Sequence, residues 1–379
     1  MSEWKTVRLG DVATYINGYA FKPSDWGQHG LPIIRIQNLT GNDYETNYYN
    51  GDISEKYHVK NGDVLISWSA SLGIYEWKKN NALLNQHIFK VVFDKIDVDK
   101  YYFMFTVSSL LSSMEKHTHG STMRHITKPV FDNIPFPLPP LETQKQIAAV
   151  LDKCTSLISK YKKILEKCDT LIKSRFIELF GDPVQNPMGW EVKKLGNICT
   201  KISDGVHAKP EYTATGKPFI SVVNINSGKL LFDDCKYVSE EAYEKMIKST
   251  HPEKGDILYT KVGATYGIPA LVDTDRAFCL YVSVALLKPK SEIVNSQFLT
   301  TSMAQPYIKN QADKRIKGIG VPDLHLNQIR EFEVLVPPLE LQNQFNSFVQ
   351  QIDKSKFAIQ KSLEKAETLY KSLMQEYFG

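Results

Sequence analysis

Apolar residues recur along two stretches of the chain with an alternating spacing of three and four positions. In the first stretch these positions are Ile147, Leu151, Cys154, Ile158, Tyr161, Leu165, Cys168 and Ile172. The second stretch repeats the spacing 198 residues later, with only a lysine interrupting it, at Phe345, Val349, Ile352, Lys356, Ile359, Leu363, Ala366 and Tyr370. A heptad stripe sustained over this length predicts two long helices, each with one buried face.

Short β-branched runs bounded by Gly, Asn, Asp and Pro precede each predicted long helix, and this pattern is typical of strands. The runs are PIIRI, DVLIS and HIFKVVF before the first helix, and PFISVV, DILYT and YVSVALL before the second. Short helices are expected at 101–114 and 294–309. Together the elements predict an α/β fold with two similar globular halves, each an irregular, mostly antiparallel sheet plus short helices.

An internal repeat covers nearly the whole chain. WKTVRLGDVATYINGYAF at 4–21 matches WEVKKLGNICTKISDGVH at 190–207, and the PPLE that begins at Pro139 returns at Pro337. The offset between the copies grows from 186 to 198 within the globular stretch only, so the inserted residues are expected in loops there. The repeat predicts four segments: a first globular half at 1–138, a helix at 139–181, a second globular half at 182–336 and a helix at 337–379.

The two predicted helices carry apolar stripes in the same phase, and neither is expected to be stable in water with its stripe exposed. They are therefore expected to pack on each other. An internal pseudo-two-fold axis across the pair makes them an antiparallel coiled coil, which separates the globular halves by a rod of about 60 Å. The alternative is that each stripe packs only against its own globular half.

Composition and charge narrow the class of protein. The 379 residues are 42% hydrophobic, no run of 18 apolar residues occurs, and MSEWKTVRLGDV has no apolar signal core, so a cytoplasmic protein is expected. The four segments have net charges of 0, +3, +1 and 0, so any binding of nucleic acid depends on local patches or on partners. The cysteines form no CxxC pair and are expected as buried free thiols, at Cys154, Cys168, Cys199, Cys235 and Cys279.

Motifs that carry catalysis are absent from the sequence. It contains no GxxxxGK[ST] phosphate loop, no GxGxxG, HExxH or GxSxG, and no Asn-Pro-Pro-aromatic motif of an adenine methyltransferase. His117, His119 and His125 lie close together, but no cysteine or carboxylate stands at a matching spacing. Loop histidines near DNA are favoured over a metal site. No catalytic residue, metal or cofactor is expected.

DNA is a partner whose symmetry suits two inverted globular halves, since halves related by a two-fold axis can read two half-sites. The repeated PLPPLETQKQIAAVLDK and VPPLELQNQF, the opening WKTVRLGDV with its copy WEVKKLGN, the GDVL and GDIL strands and the FGDP after the first helix resemble the specificity subunit of type I restriction-modification systems. The resemblance covers nearly all of the chain.

The resemblance implies two target-recognition domains, each reading one half of an asymmetric, bipartite double-stranded DNA target. It implies that the helices set the spacer between the half-sites and dock two methyltransferase subunits. It also implies assembly with ATP-dependent translocase and nuclease subunits, and no catalytic activity in the specificity subunit itself.

Candidate DNA-contacting residues are polar or basic side chains in loops that follow expected strands. In the first half they are Ser67, Ser69 and Ser71 of SWSASLG, then Asn85, Gln86 and His87, and Ser121, Thr122 and Arg124 of HGSTMRH. In the second half they are Asp204, His207 and Lys209 of SDGVHAKPEY, Thr260, Lys261 and Thr265 of YTKVGATYG, and Lys314, Arg315 and Lys317 of DKRIKGIG. The alternative for any single residue is a solvated loop position or a turn former, and DKRIKGIG is the strongest cluster.

Two other functions fit the same pattern. The chain could be the recognition subunit of a related type II system, which only the partner proteins would distinguish. It could also be a structural adaptor with two protein-binding heads and no DNA, which the near-neutral halves favour. The DNA target itself does not follow from the sequence, because side-chain readout depends on docking geometry.

Overall fold

The β-branched runs of the first half form strands because pleated strands bury side chains on both faces: Val64 and Ile66 lie in one core cluster, and Leu65 lies in another. The computed structural model describes residues 4–41, 45–117, 126–316 and 320–379, with the side chains of 115–117 outside that description. Strands of the first half are β1 Lys5–Arg8, β2 Thr14–Asn17, β3 Leu31–Ile34, β4 Tyr48–Tyr49, β5 His58–Val59, β6 Val64–Ser67, β7 Gly73–Glu76, β8 Ala82–Leu84, β9 Ile88–Val92 and β10 Pro135–Leu138. Its helices are α1 Leu9–Val12, α2 Ile36–Leu39, α3 Lys100–His117 and α4 Lys128–Asp132, and α5 Leu141–Phe180 follows.

The second half repeats most of this order. Its strands are β11 Glu191–Lys194, β12 Cys199–Asp204, β13 Lys217–Ile220, β14 Lys236–Val238, β15 Ile257–Thr260, β16 Pro269–Leu271, β17 Cys279–Leu280, β18 Val284–Pro289 and β19 Glu333–Val336. Its helices are α6 Leu195–Ile198, α7 Glu240–Ile247, α8 Ser296–Met303, α9 Pro306–Asp313 and α10 Leu326–Arg330, and α11 Leu339–Phe378 follows. Short 3₁₀ turns lie at Pro23–Asp25, Glu55–Tyr57 and Val222–Asn224.

Corresponding sheets have corresponding strand orders. Among the described residues, the main sheet of the first half has the order β2-β9-β6-β7, and that of the second half has the order β12-β18-β15-β16. A smaller sheet has the order β4-β3-β8-β5 in the first half and β14-β13-β17 in the second. Most pairings are antiparallel, while β3 with β8 and β13 with β17 are parallel. The predicted mixed α/β fold with mostly antiparallel sheets is confirmed.

Two local predictions were wrong in detail. The helix expected at 294–309 is divided into α8 and α9, because Pro306 begins the second helix and cannot donate the backbone hydrogen bond that a continuous helix needs. The residues inserted in the second half were expected in loops, but the stretch between β14 and β15 contains α7. Ser239 caps that helix by accepting the N–H of Ala242 at 3.2 Å, and Tyr243 is buried.

The chain divides into two compact units. Unit 1 comprises residues 1–163 and 360–379, and unit 2 comprises residues 164–359. Each unit therefore contains one globular half, the start of one long helix and the end of the other. In unit 1, Lys162 pairs with Glu367 at 3.1 Å.

In unit 2, the aromatic rings of Phe176 and Phe345 lie 5.6 Å apart, and Lys356 pairs with Asp169 at 2.5 Å. Residue 169 thus meets 356 and residue 176 meets 345, so the two helix segments of unit 2 run in opposite directions. The stripe positions predicted from the sequence are all buried or half-buried. Lys356, which interrupts the apolar stripe, is accommodated between the helix segments because its ammonium pairs with the carboxylate of Asp169.

The repeated PPLExQ motif fastens each long helix to its globular half. Gln144 is buried; its Oε1 accepts the N–H of Asp99 at 2.9 Å and its Nε2 donates to the carbonyl of Pro139 at 2.8 Å. Gln342 is also buried; it accepts the N–H of Asn295 at 2.8 Å and donates to the carbonyl of Pro337 at 2.7 Å. Because the Asp99 and Asn295 side chains cap α3 and α8, each glutamine ties a long helix to the start of a shorter one.

The cysteines are free, and four of them are buried as expected, while Cys168 is half-buried. Burial raises the pKa of the Cys199 thiol to about 12 and that of Cys279 to about 12. Within the described parts of the chain, no helix has the length and apolar character needed to cross a membrane.

Candidate nucleic-acid interface

The ends of β6 and β15 hold two predicted hydroxyl groups in equivalent turns. The Ser67 hydroxyl donates to the carbonyl of Ser71 at 2.5 Å, and the Thr260 hydroxyl donates to the carbonyl of Thr265 at 2.7 Å. The Thr260 hydroxyl also accepts the N–H of Ile268 at 2.8 Å. Both side chains are fully buried. These hydroxyls therefore shape the turns, and the surface of each turn comes from other residues.

The other predicted residues of these turns are more accessible. Ser69 is half-buried, while Ser71 and Thr265 are exposed. Ala70 has a φ of 61° and Gly263 a φ of 94°, so each turn contains a left-handed residue. Of the residues predicted in these two turns, Ser71 and Thr265 thus present exposed hydroxyls at the end of the main sheet.

The loop between β8 and β9 contains Asn85, Gln86 and His87, all half-buried. The Nε2 atoms of Gln86 and His87 are 3.1 Å apart, and the buried His87 Nδ1 has no hydrogen-bond partner in the described part of the chain. The backbone of β2 passes so close that a Cβ on Gly18 would lie 2.0 Å from the Asn85 carbonyl oxygen. A glycine is therefore required where β2 leaves the sheet. The same holds after β12, where a Cβ on Gly205 would lie 2.0 Å from the Leu280 carbonyl oxygen.

Charged residues meet at the end of β12. The Lys261 side chain is 6% exposed, and its Nζ lies 3.4 Å from Asp204 Oδ2 and 3.6 Å from Asp323 Oδ1. His207 is largely exposed, with its Nε2 3.7 Å from Asp204 Oδ1. Two predicted residues, Asp204 and Lys261, are thus brought together, and Asp323 was not predicted because it lies far away in the sequence.

An exposed aromatic side chain stands beside cations in each half. Tyr212 has Lys236 at 4.4 Å and the exposed, predicted Lys209 at 5.8 Å from its ring centroid. The guanidinium carbon of Arg35 lies 5.3 Å from the ring centroid of Trp26. Cations over aromatic faces and exposed rings are both typical of surfaces that bind nucleic acid.

Trp26 and Tyr212 were missed by the sequence reasoning, although a signal existed. They are 186 residues apart, which is the offset of that part of the repeat. The following residues also match, because Gly27 bridges to Tyr48 and Thr213 bridges to Tyr237, both antiparallel. The aromatic pair therefore occupies equivalent places in the two halves.

The predicted basic loop begins at the end of α9. Lys314 is exposed. The Arg315 guanidinium donates to the carbonyls of Gln311 at 2.8 Å and Glu331 at 3.1 Å and lies 5.2 Å from the ring of Phe332. Arg315 thus holds the chain in place, while Lys314 is an exposed cation at the start of the loop. The remaining predicted residues lie outside the described part of the chain: Lys317, Ser121, Thr122 and Arg124.

No group of three or more His, Cys, Asp or Glu side chains with metal-binding geometry occurs in the described ranges. His119 and His125 lie outside those ranges, as does the side chain of His117.

Comparison with known proteins identifies what the chain is similar to. The sequence profile of the type I restriction modification DNA specificity domain matches residues 1–168 and again residues 187–368. The EcoBI type I restriction enzyme specificity subunit of Escherichia coli is 26% identical over 390 residues, covering 96% of this chain and 81% of that protein. The MjaVIII specificity subunit of Methanocaldococcus jannaschii is 25% identical over 403 residues, covering 98% and 91%.

The fold is also shared with solved structures. The S subunit of a type I restriction-modification system from M. genitalium superimposes with a TM-score of 0.63 at 15% identity, covering all of this chain and 96% of that one. A chain from a study of assembly and conformational transition of the type I system gives a TM-score of 0.57 at 16% identity, covering 100% and 98%.

Proposed function

Because the chain belongs to the type I restriction-modification DNA specificity family, we propose that it supplies the DNA target of a type I restriction-modification complex. Each globular half reads one half of an asymmetric, bipartite site. The chain performs no catalysis itself, and methylation and cleavage belong to its partners.

One observation carries the proposal: the main sheets of the two halves have the same strand order, and the side chains at the ends of these sheets differ. The main sheets have matching strand orders, and the family profile matches each half separately. The matching main sheets support docking of both halves in the same manner. Different side chains on these sheets support different base readout.

The two 40-residue helices support a spacer function. In each unit the start of one helix packs with the end of the other, which favours a continuous antiparallel coiled coil with a pseudo-two-fold axis. In this arrangement residues 1–138 and 182–336 are the target-recognition domains and the helices fix the distance between them. The helices also dock two methyltransferase subunits, and ATP-dependent translocase and nuclease subunits join for cleavage.

The exposed members of the predicted clusters are proposed as the DNA contacts. They are Ser71, His207, Lys209, Thr265 and Lys314. The buried or half-buried members support the loops that present them. Lys317, Ser121, Thr122 and Arg124 stay proposed contacts from the sequence alone.

Exchange of one globular half tests the assignment of half-sites. Residues 1–138 are replaced by the matching segment of a relative with a different target, the chain is co-expressed with its methyltransferase subunits, and methylated sites are sequenced. One half of the target is expected to change while the other half stays the same.

The matched control replaces residues 182–336 and is expected to change the other half only. A change in both halves from a single exchange would refute the scheme. A wild-type complex that neither methylates nor shifts any DNA would favour a structural adaptor.

Insertion of one heptad at equivalent positions in both long helices tests the spacer. Seven residues lengthen a helix by about 10.5 Å and preserve the apolar stripe. At about 3.4 Å per base pair, the DNA spacer is expected to lengthen by roughly three base pairs with unchanged half-sites. An unchanged spacer length would contradict the proposal.

A further inference from the structure

The residue after β6 in the first half and the residue after β15 in the second half occupy equivalent positions in the two main sheets. Ser67 pairs with Ile88 in the first half, and Thr260 pairs with Val284 in the second. The next residues are therefore equivalent, and these are Trp68 and Lys261. The backbone N–H of Trp68 donates to the carbonyl opposite at 3.4 Å, and that of Lys261 does so at 3.0 Å.

In the second half this place holds a covered ammonium group. The Nζ of Lys261 pairs with Asp204, the last residue of β12, and with Asp323, which belongs to the segment before α10. The same segment is joined to the turn after β15 by the N–H of Leu324, which donates to the Lys261 carbonyl at 2.9 Å. Lys261 thus joins a strand end, a turn and a distant segment, through its ammonium to Asp204 and Asp323 and through its backbone carbonyl to Leu324.

The loops joined in this way carry exposed polar groups. Residues 205–209 follow directly from Asp204 and include exposed His207 and Lys209. Because the Lys261 side chain is only 6% exposed, its ammonium is covered by the groups it holds. It acts on the position of these loops.

In the first half the same place holds a neutral group. The indole Nε1 of Trp68 donates to Asn17 Oδ1 at 3.3 Å, and Asn17 is the last residue of β2. The indole ring stacks on Phe89 with centroids 5.6 Å apart and an angle of 23°. The equivalent of Phe89 in the second half is Ala285, which leaves no ring for stacking.

We propose that Lys261 is a positioning residue that determines which half-site the second globular half reads, by holding residues 205–209 and the segment around Asp323 at the end of the main sheet. Trp68 and Asn17 do the corresponding work in the first half with a neutral hydrogen bond and an aromatic stack. The inference rests on the proposed function, because it names residues that set the specificity of the same recognition surface.

The physical reason lies in the cost of leaving a covered charge without a partner. Removing Lys261 leaves Asp204, whose side chain is only 17% exposed, without its cation, so the segment that carries Asp204 moves to bring the carboxylate to water. Loops that move by an ångström lose the alignment that base-edge hydrogen bonds need, while phosphate contacts tolerate it. Loss of Lys261 is therefore expected to reduce discrimination more than affinity.

The test compares Lys261→Met with the wild-type chain in a complex with the methyltransferase subunits. Methylation rates are measured on the full target and on targets with one mismatch in either half. Lys261→Met is expected to lower the preference for the correct second half-site at least tenfold and to leave the preference for the first half-site unchanged. Lys261→Arg, which keeps the charge, is expected to restore most of the preference.

Lys288 provides a matched control in the same half. Its Nζ pairs with Glu253 and Asp256, both at 2.7 Å, so it has the same chemistry on β18. Lys288→Met is expected to lower thermal stability without changing specificity. A Lys261→Met, Asp204→Asn, Asp323→Asn variant leaves no uncompensated charge in the cluster and is used if the single variant does not fold. It is expected to lose the preference as well, because it also lacks the ion pairs from residue 261 to residues 204 and 323.

Each outcome is decisive. The inference is overturned if the folded Lys261→Met complex keeps the wild-type preference for the correct second half-site. The triple variant is judged in the same way where it replaces the single variant. An equal loss of that preference in Lys288→Met also overturns the inference. Failure of the wild-type complex to methylate a bipartite site overturns the proposed function instead, so the two failures are distinguishable.

Discussion

Gln342→Leu removes the buried amide that fastens the second long helix to its globular half. The wild-type side chain accepts the N–H of Asn295 at 2.8 Å and donates to the carbonyls of Pro337 at 2.7 Å and Ile293 at 3.2 Å. Leucine fills a similar volume but satisfies none of these three backbone groups.

The magnitude follows from the number of groups left without a partner. A buried polar group that loses its hydrogen bond costs roughly 1–3 kcal/mol. Two of the three groups are part-buried, so the lower end of that range applies and the expected loss is about 3 kcal/mol. Gln144→Leu leaves only the N–H of Asp99 and the carbonyl of Pro139, so its expected loss is about 2 kcal/mol. The order of the two variants is thus a prediction in itself.

Amide hydrogen exchange read by mass spectrometry measures both effects locally. Global unfolding curves suit this protein less, because two units need not unfold in one transition. Protection is expected to fall in peptides covering 293–303 and 339–350 for Gln342→Leu, and around Asp99 and 139–150 for Gln144→Leu.

Gln344→Leu is the matched control, since Gln344 is exposed two residues along the same helix. It is expected to change protection by less than about 0.5 kcal/mol. Equal protection in the Gln342→Leu and Gln344→Leu variants would refute the role of the PPLExQ glutamine in fastening the helix.

Three further predictions concern the surface and the pH response. If Lys314 contacts one phosphate, Lys314→Ala is expected to reduce the slope of the logarithm of the DNA-binding constant against the logarithm of salt concentration by about 0.9. Arg315→Ala is expected to lower the melting temperature instead. An unchanged salt slope in Lys314→Ala would remove Lys314 from the interface. Trp26→Ala is expected to weaken binding at one half-site and Tyr212→Ala at the other, as measured by mobility shift with single half-site mismatches, and equal effects at both half-sites would contradict the equivalence. Burial alone would raise the pKa of Glu76, but hydrogen bonds from two lysines outweigh it and hold the pKa below its ordinary value. The contribution of Glu76 to stability is therefore present above pH about 4.5 and is lost as pH falls; Glu76→Gln is expected to remove that part of the acid dependence in unfolding experiments, and an unaltered acid dependence would count against it.

Several features followed directly from local pattern. The heptad stripes predicted both long helices, because a helix buries a residue every three or four positions whatever it packs against. The β-branched runs predicted the central strands for a similar reason. The division of 294–309 into two helices also has a local signal in the sequence, since Pro306 is a residue that begins helices and interrupts them elsewhere.

Some predicted contact residues already have hydrogen-bond partners within the protein, and the sequence does not show which ones. Ser67 and Thr260 have the composition of a binding loop, yet their hydroxyls close turns, because a carbonyl four or five residues later lies within reach. Arg315 belongs to a stretch with the composition of a basic binding loop, yet its guanidinium donates hydrogen bonds to two carbonyls. Residue type identified the polar loops. Only the tertiary structure showed which of their side chains already make hydrogen bonds within the protein.

The sequence by itself determined that the chain is built twice, that two long helices follow two α/β halves, and that the family is one that specifies DNA targets. Periodicity and repetition are properties of the order of residues along the chain, so they can be recognised without a structure. The tertiary structure decided that Lys261 lies between Asp204 and Asp323, and that Trp68 stands in the equivalent place. That contact joins residues far apart along the chain, and no local pattern reports which distant carboxylate a lysine will meet.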